Sequence, residues 1–148
     1  MTRSYAQRCP IAMTLDLIGE RWTLLVIREL LFGRTKFKEL IEQCPGIPTK
    51  ILANRLKSLE AHALIERRVY SEHPLRASYH LTARGLSLAP VMEAIVRWGM
   101  DHAVEPAERA EIATLIDERV VAAKAPFPLL SKGASRSRHR RRAPLTSG

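Results

Sequence analysis

The chain has 148 residues, enough for one domain with a single core, and 46% of them are apolar, too many for a chain that never folds. Aromatic residues make up only 5%, which argues against a sandwich or barrel built on aromatic cross-strand pairs. The net charge is +9, and six of those charges sit in the acid-free stretch Lys132–Gly148, so the rest of the chain is only mildly basic.

Two cysteines, Cys9 and Cys44, cannot build a disulfide framework, and neither has a second Cys or His at zinc-ligand spacing. The first apolar run, Leu24–Ile27, is cut by Arg28-Glu29, too short for a bilayer span, and no signal-peptide pattern precedes it. A reducing cytoplasm is the expected compartment, with no metal and no cofactor.

Taken in chain order, the first predicted helix covers Ile11–Ile18, with Pro10 suited to its first turn and Gly19 breaking it. A second, Arg21–Phe32, clusters Trp22, Leu25, Val26, Leu30 and Leu31 near helical spacing, and Gly33 signals its C-cap. Thr35 is placed to cap a short third helix, Lys36–Gln43, whose stripe is Phe37, Leu40 and Ile41. Cys44-Pro45-Gly46-Ile47-Pro48 reads as a turn.

The fourth helix, Thr49–His62, carries the most information. Ile51, Leu52, Leu56 and Leu59 share one face, and Thr49, Lys50, Ala53, Asn54 and Lys57 share the other. That outer face is short, polar and basic, with no carboxylate before Glu60. It has the chemistry to enter a major groove, where Asn pairs bidentately with adenine and Lys with guanine. Taken by itself, the helix reads first as an ordinary solvated face.

Leu64–Tyr70 and Ala77–Leu81 alternate as short strands around Ser71–Arg76, which predicts a hairpin with Arg67, Arg68 and Arg76 at its basic rim. Helices followed by a basic hairpin, with a polar-basic helix before it, is the order of a winged helix-turn-helix. The expected fold class is therefore mainly α (α+β), a β-hairpin wing joined by further helices.

These residues resemble the HxlR-type winged-helix regulators of bacteria. The resemblance spans about Cys9–Gly99. It rests on Cys9-Pro10, Leu17-Ile18-Gly19-Glu20-Arg21-Trp22, Leu30-Leu31-Phe32-Gly33, Phe37-Lys38-Glu39-Leu40, and Pro45-Gly46-Ile47. It continues through Leu52-Ala53-Asn54-Arg55-Leu56-Lys57-Ser58-Leu59-Glu60, Pro74-Leu75-Arg76, Tyr79, Leu81-Thr82-Ala83-Arg84-Gly85 and Trp98-Gly99. Two positions depart from the family pattern. Pro48 replaces a frequent Ser, passing the cap to Thr49, and Ala63 replaces a usual Gly, where a left-handed turn would cost about 1–2 kcal/mol.

The resemblance implies a transcription regulator of the bacterial nucleoid that binds double-stranded DNA as a homodimer. Thr49, Lys50, Ala53 and Asn54 then lie at or near base edges. Lys57, Arg55, Lys36 and Lys38 contact or steer toward phosphate, and Arg67, Arg68 and Arg76 act from the wing. Arg55 borders the buried face and is alternatively an ion-pair partner of Glu39 or Glu66.

The family pairs through its first helix and the long helix after the wing. Leu15 and the stripe Leu88, Met92, Ile95 and Gly99, beside Trp98, fit that use, with a plain core helix as the alternative. Pro90 should kink this segment or mark a fresh start. Some family members sense oxidants through a thiol near the first helix, and Cys9 stands at that place, next to Arg8. An unreactive Cys9 and a small-molecule effector both stay open, as does Cys44 as a partner thiol across the dimer.

The expected organisation is a winged-helix and dimerisation domain over 9–103, a C-terminal helix within 104–131 packing on the dimer region, and a basic disordered tail over 132–148. That tail is either a solvated end or a polycation for phosphate. An enzyme is not expected, because the five histidines (His62, His73, His80, His102, His139) show no ligand spacing and no phosphate loop is present. The rival reading is a basic RNA-binding or ribosome-associated protein, which calls for stacking aromatics on an exposed sheet.

Overall fold

The structure is a computed structural model and describes residues 4–123. Its elements are α1 (Pro10–Ile18), α2 (Thr23–Leu31), α3 (Phe37–Gln43), α4 (Thr49–Ala61), β1 (Ile65–Glu72), β2 (Leu75–Leu81), α5 (Ala83–Leu86), α6 (Ala89–His102) and α7 (Arg109–Ala123). This is a winged helix-turn-helix: helices α2, α3 and α4 around one core, followed by an antiparallel hairpin. The basic tail and the end of the 104–131 segment lie outside the described residues.

The core forms where the apolar stripes meet. Val26 and Ile27 of α2, Leu40 of α3, and Leu52, Leu56 and Leu59 of α4 are essentially solvent-free, with Ile65 of β1 and Met92 of α6 joining them. Removing each such side chain from water contributes about 1.5–3 kcal/mol. On α4 the i, i+4, i+7 spacing of Leu52, Leu56 and Leu59 leaves the opposite stripe outside.

Three local devices set the angles between helices. Gly33, at φ 80°, closes α2: its N–H donates to the Leu30 carbonyl and the Arg34 N–H to the Glu29 carbonyl. The same motif closes α4, with Ala63 at φ 55°, its N–H on Glu60 and the Leu64 N–H on Leu59. The left-handed turn is thus kept without glycine, because buried Leu59 and Leu64 clamp both sides of it. Trp22 enters α2 at φ 77°, with the Arg21 guanidinium 5.5 Å from its ring centroid.

Thr35 does not cap α3. The carboxylate of Glu39 does so instead, accepting from the backbone N–H of Thr35 at 2.9 Å and Lys36 at 3.0 Å. Those two bonds, the Lys36 one foremost, hold the Glu39 carboxyl below the usual carboxylate range.

The hairpin is longer than its alternation suggested, reaching Glu72 and Leu75 and leaving His73-Pro74 as the turn. A bulge between Val69 and Ser71 inserts Tyr70 and resets the in–out pattern, which hides the strand's continuation from a period-two reading. An isolated bridge between Lys36 and Ser78, with the Tyr79 N–H on the Thr35 carbonyl at 2.7 Å, ties the hairpin to the start of α3. At its base the Thr82 hydroxyl donates to the Ala63 carbonyl and accepts from the Gly85 N–H.

Pro90 sits in the first turn of α6, so that helix starts afresh after the short α5. Helix α7 turns off α6 through Arg109, which donates to the Asp101 and Val104 carbonyls. Near its far end Arg119 reaches the buried Glu29 carboxylate of α2 and Gln43 of α3, a cation answering a carboxylate removed from water.

Candidate nucleic-acid interface

Helix α4 shows solvent the face that its sequence assigned to it. Thr49, Lys50, Asn54 and Lys57 are exposed, and Ala53 is half-buried between them. Lys50, Asn54 and Lys57 stand at i, i+4 and i+7, a single stripe with no carboxylate among them. Thr49 does not cap the helix. Pro48 is the N-cap, Thr49 the first helical residue, and no side chain bonds to the first turn. A first turn with neither an acid nor a side-chain acceptor leaves the positive end of the helix dipole unneutralised.

Arg55 is a correction. Its guanidinium pairs with the Glu20 carboxylate, and its Nε donates to the Arg21 carbonyl at 3.1 Å, so neither Glu39 nor Glu66 is its partner. It ties α4 to the α1–α2 turn instead of lying free for phosphate. Arg68 is likewise engaged, by Glu66 two residues back on the same face of β1.

Arg67 and Arg76 are exposed, and with Lys36, Lys38, Tyr70 and Leu75 they line a cleft of about 630 Å³ between the wing and the start of α3. The Lys36 ammonium stands 5.9 Å from the Tyr70 ring centroid. Tyr70 and Leu75 were not among the sequence candidates: Tyr70 is the residue the bulge inserts, and Leu75 falls in the stretch the alternation assigned to the loop.

A second cleft, of about 410 Å³, is apolar and runs between α1, α2 and α6. Leu15, Ile18, Trp22, Leu25, Val91 and Ile95 line it. On the same helices, α1 and α6, Ile11 is 71% and Trp98 64% exposed, a large apolar area for a single chain to leave in water. Met92 is buried in the protomer's own core, and Leu88 packs against that core as the residue before α6. A Cβ on Gly99 would meet nothing within 4 Å.

Cys9 is half-buried immediately before α1. Cys44 is buried, and burial together with the Glu29 carboxylate pushes its thiol up. A thiol so enclosed is not available to a partner chain, which overturns the reading of Cys44 as a cross-dimer partner. Among the described residues no group of three or more His, Cys, Asp and Glu is placed to hold a metal ion, and no helix is long and apolar enough to cross a membrane.

Comparison with known proteins places this geometry. The family model described as HxlR-like helix-turn-helix matches residues 17–107. The uncharacterized HTH-type transcriptional regulator sll1512 of Synechocystis is 44% identical over 93 residues, covering 63% of this chain and 69% of that protein. The HTH-type transcriptional regulator YodB of Bacillus subtilis is 39% identical over 101 residues, 68% of this chain and 89% of YodB.

Among solved structures, the reduced form of YodB aligns with a TM-score of 0.55 at 37% identity, covering 65% of this chain and 95% of that one. The redox regulator HypR in its oxidized form aligns at 0.59 with 33% identity, covering 64% and 97%. The protein therefore belongs to the HxlR-like helix-turn-helix family of DNA-binding transcription regulators.

Proposed function

We propose that this protein is a repressor that binds a pseudo-palindromic DNA operator as a homodimer and responds to an oxidant through Cys9. The carrying observation is the acid-free stripe of Lys50, Asn54 and Lys57 on α4, exposed beside a wing cleft lined by Lys36, Lys38, Arg67 and Arg76. Asn54 and Lys50 read base edges, and Thr49 and Ala53 lie against them. Lys57 and the wing cations hold phosphate.

The homodimer accounts for the apolar cleft. Leu15, Ile95 and Trp98 are covered by a second copy, and Gly99 gives open backbone for a close approach. Pairing places two α4 helices on successive major grooves about one helical turn apart. Repression follows from a small dimer whose interface occupies DNA and whose described residues form no separate activation module. For the signal, YodB and HypR are described in reduced, oxidized and diamide-treated forms, and Cys9 is the more accessible thiol here.

An RNA-binding role has less support. Tyr79 packs against the core, which leaves Tyr70 as the single exposed tyrosine of the hairpin, too few for a stacking platform. The test is titration of a labelled duplex from upstream of the protein's own gene with excess structured RNA as competitor. Binding that resists RNA, and weakens after peroxide in the wild type but not in Cys9→Ser, supports the proposal. Displacement by RNA sinks it, and equal peroxide sensitivity of both proteins removes the role of Cys9.

A further inference from the structure

We propose that Arg119, which lies beyond the region shared with the family model, is a positioning residue for the recognition helix α4. The proposal rests on the DNA-binding reading above. Its basis is a buried charge cluster that DNA binding does not otherwise use. Glu29, in α2, has a side chain with 0% exposure, where a lone carboxylate is not tolerated. Two guanidiniums answer it. Arg28 Nε donates to Glu29 Oε1 at 2.7 Å, and Arg119 Nη2 lies 3.2 Å and 3.0 Å from the two carboxylate oxygens.

Both arginines go on to hold the same residue of α3. Arg119 Nη2 donates to Gln43 Oε1 at 3.0 Å, and Arg28 Nη2 to the Gln43 backbone carbonyl at 3.4 Å. Gln43 is the last residue of α3, and its carbonyl is one of those that a helix end leaves without an internal partner. The next five residues are the turn into α4. The pivot of the helix-turn-helix is therefore braced to α2 by Arg28 and to α7 by Arg119, with Glu29 aiming both. The Arg119 guanidinium also lies 5.2 Å from the Phe32 ring centroid, which fixes α7 against the end of α2.

The consequence for DNA is geometric. Helix α4 has 13 residues, so it is about 20 Å long, and a tilt of about 5° at its start moves its far end by roughly 2 Å. Base-edge hydrogen bonds do not survive such a shift, while phosphate contacts through flexible lysines do. Loss of the brace should therefore weaken specific binding without changing the number of phosphates neutralised.

The experiment uses the full chain, with a duplex carrying its operator, chosen by selection from random duplexes with the wild type. Wild type, Arg119→Gln and the double variant Glu29→Gln/Arg119→Gln are titrated across a salt series, with thermal melts in parallel. The expected result is at least a tenfold loss of operator affinity for R119Q, with the slope of log K against log salt unchanged. The double variant, which leaves no buried charge, should melt close to wild type and still bind weakly. If R119Q does not fold, the double variant alone decides. Operator affinity within twofold of wild type in a folded R119Q overturns the proposal. So does a reduced salt slope, which would make Arg119 a phosphate contact, and so does wild-type affinity in the double variant. Failure of the wild type to select any duplex defeats the DNA-binding reading itself and is seen separately.

Discussion

Replacing Ala63 by glycine should make the protein more stable. Ala63 holds φ 55° at the end of α4, in a motif whose two hydrogen bonds to Glu60 and Leu59 leave it no other conformation. A left-handed conformation costs a residue with a Cβ about 1–2 kcal/mol, and glycine removes that cost. Glycine also frees the unfolded chain, which takes back about 0.4–1 kcal/mol, so the net gain is about 0–1.6 kcal/mol.

At this chain length each kcal/mol moves the melting temperature by about 2–4 °C, so A63G should melt up to about 6 °C higher. A neighbouring change gives the opposite sign. A Cβ on Gly85 would stand 2.0 Å from the Leu64 carbonyl oxygen, a backbone atom that cannot step aside. Gly85→Ala should cost at least about 1–3 kcal/mol. Calorimetric or circular-dichroism melts of both variants measure this. A lower melting temperature for A63G, or an unchanged one for G85A, would refute the assignment of the α4–β1 corner.

Glu39→Ala should cost about 0.5–2 kcal/mol at neutral pH by uncapping α3. Because the folded carboxyl titrates below its unfolded value, that stability is present above the unfolded value and is lost as pH falls through the folded one. The variant's deficit should therefore shrink in urea melts taken toward pH 3, and a deficit constant with pH would contradict the capping role. Alkylation of the native protein near pH 8 should modify Cys9 and spare buried Cys44 until denaturant is added. Rapid labelling of Cys44 in the native state would show that the Glu29 neighbourhood opens. Ile95→Glu puts a charge into the apolar cleft and should convert a dimeric elution profile to a monomeric one, whereas an unaltered profile would place the interface elsewhere.

What the sequence made legible follows from which residues obey a period. The buried stripe of α4 and the outward Lys50, Asn54 and Lys57 are two sides of one 3.6-residue repeat, so reading one gives the other. Gly33 announced the end of α2 because few residues other than glycine take φ 80°. The misses are contacts between distant segments. Arg55 finds Glu20, and Arg119 finds Glu29 and Gln43, partners 35, 90 and 76 residues away that no periodicity couples. The stripe that holds Met92 does not say which edge faces the chain's own core, where the structure buries that side chain. Tyr70 was missed through the bulge, which breaks the alternation that a strand reading depends on, and Leu75 because it was assigned to the loop.

The most direct measurement is the salt dependence of duplex binding for the wild type, Asn54→Ala and Lys57→Ala. N54A should lose about 1–3 kcal/mol on the selected operator and relax one base position, with its salt slope intact. K57A should weaken every duplex and reduce the slope by about one. If neither substitution changes affinity on any duplex, the exposed face of α4 is not the surface that meets DNA.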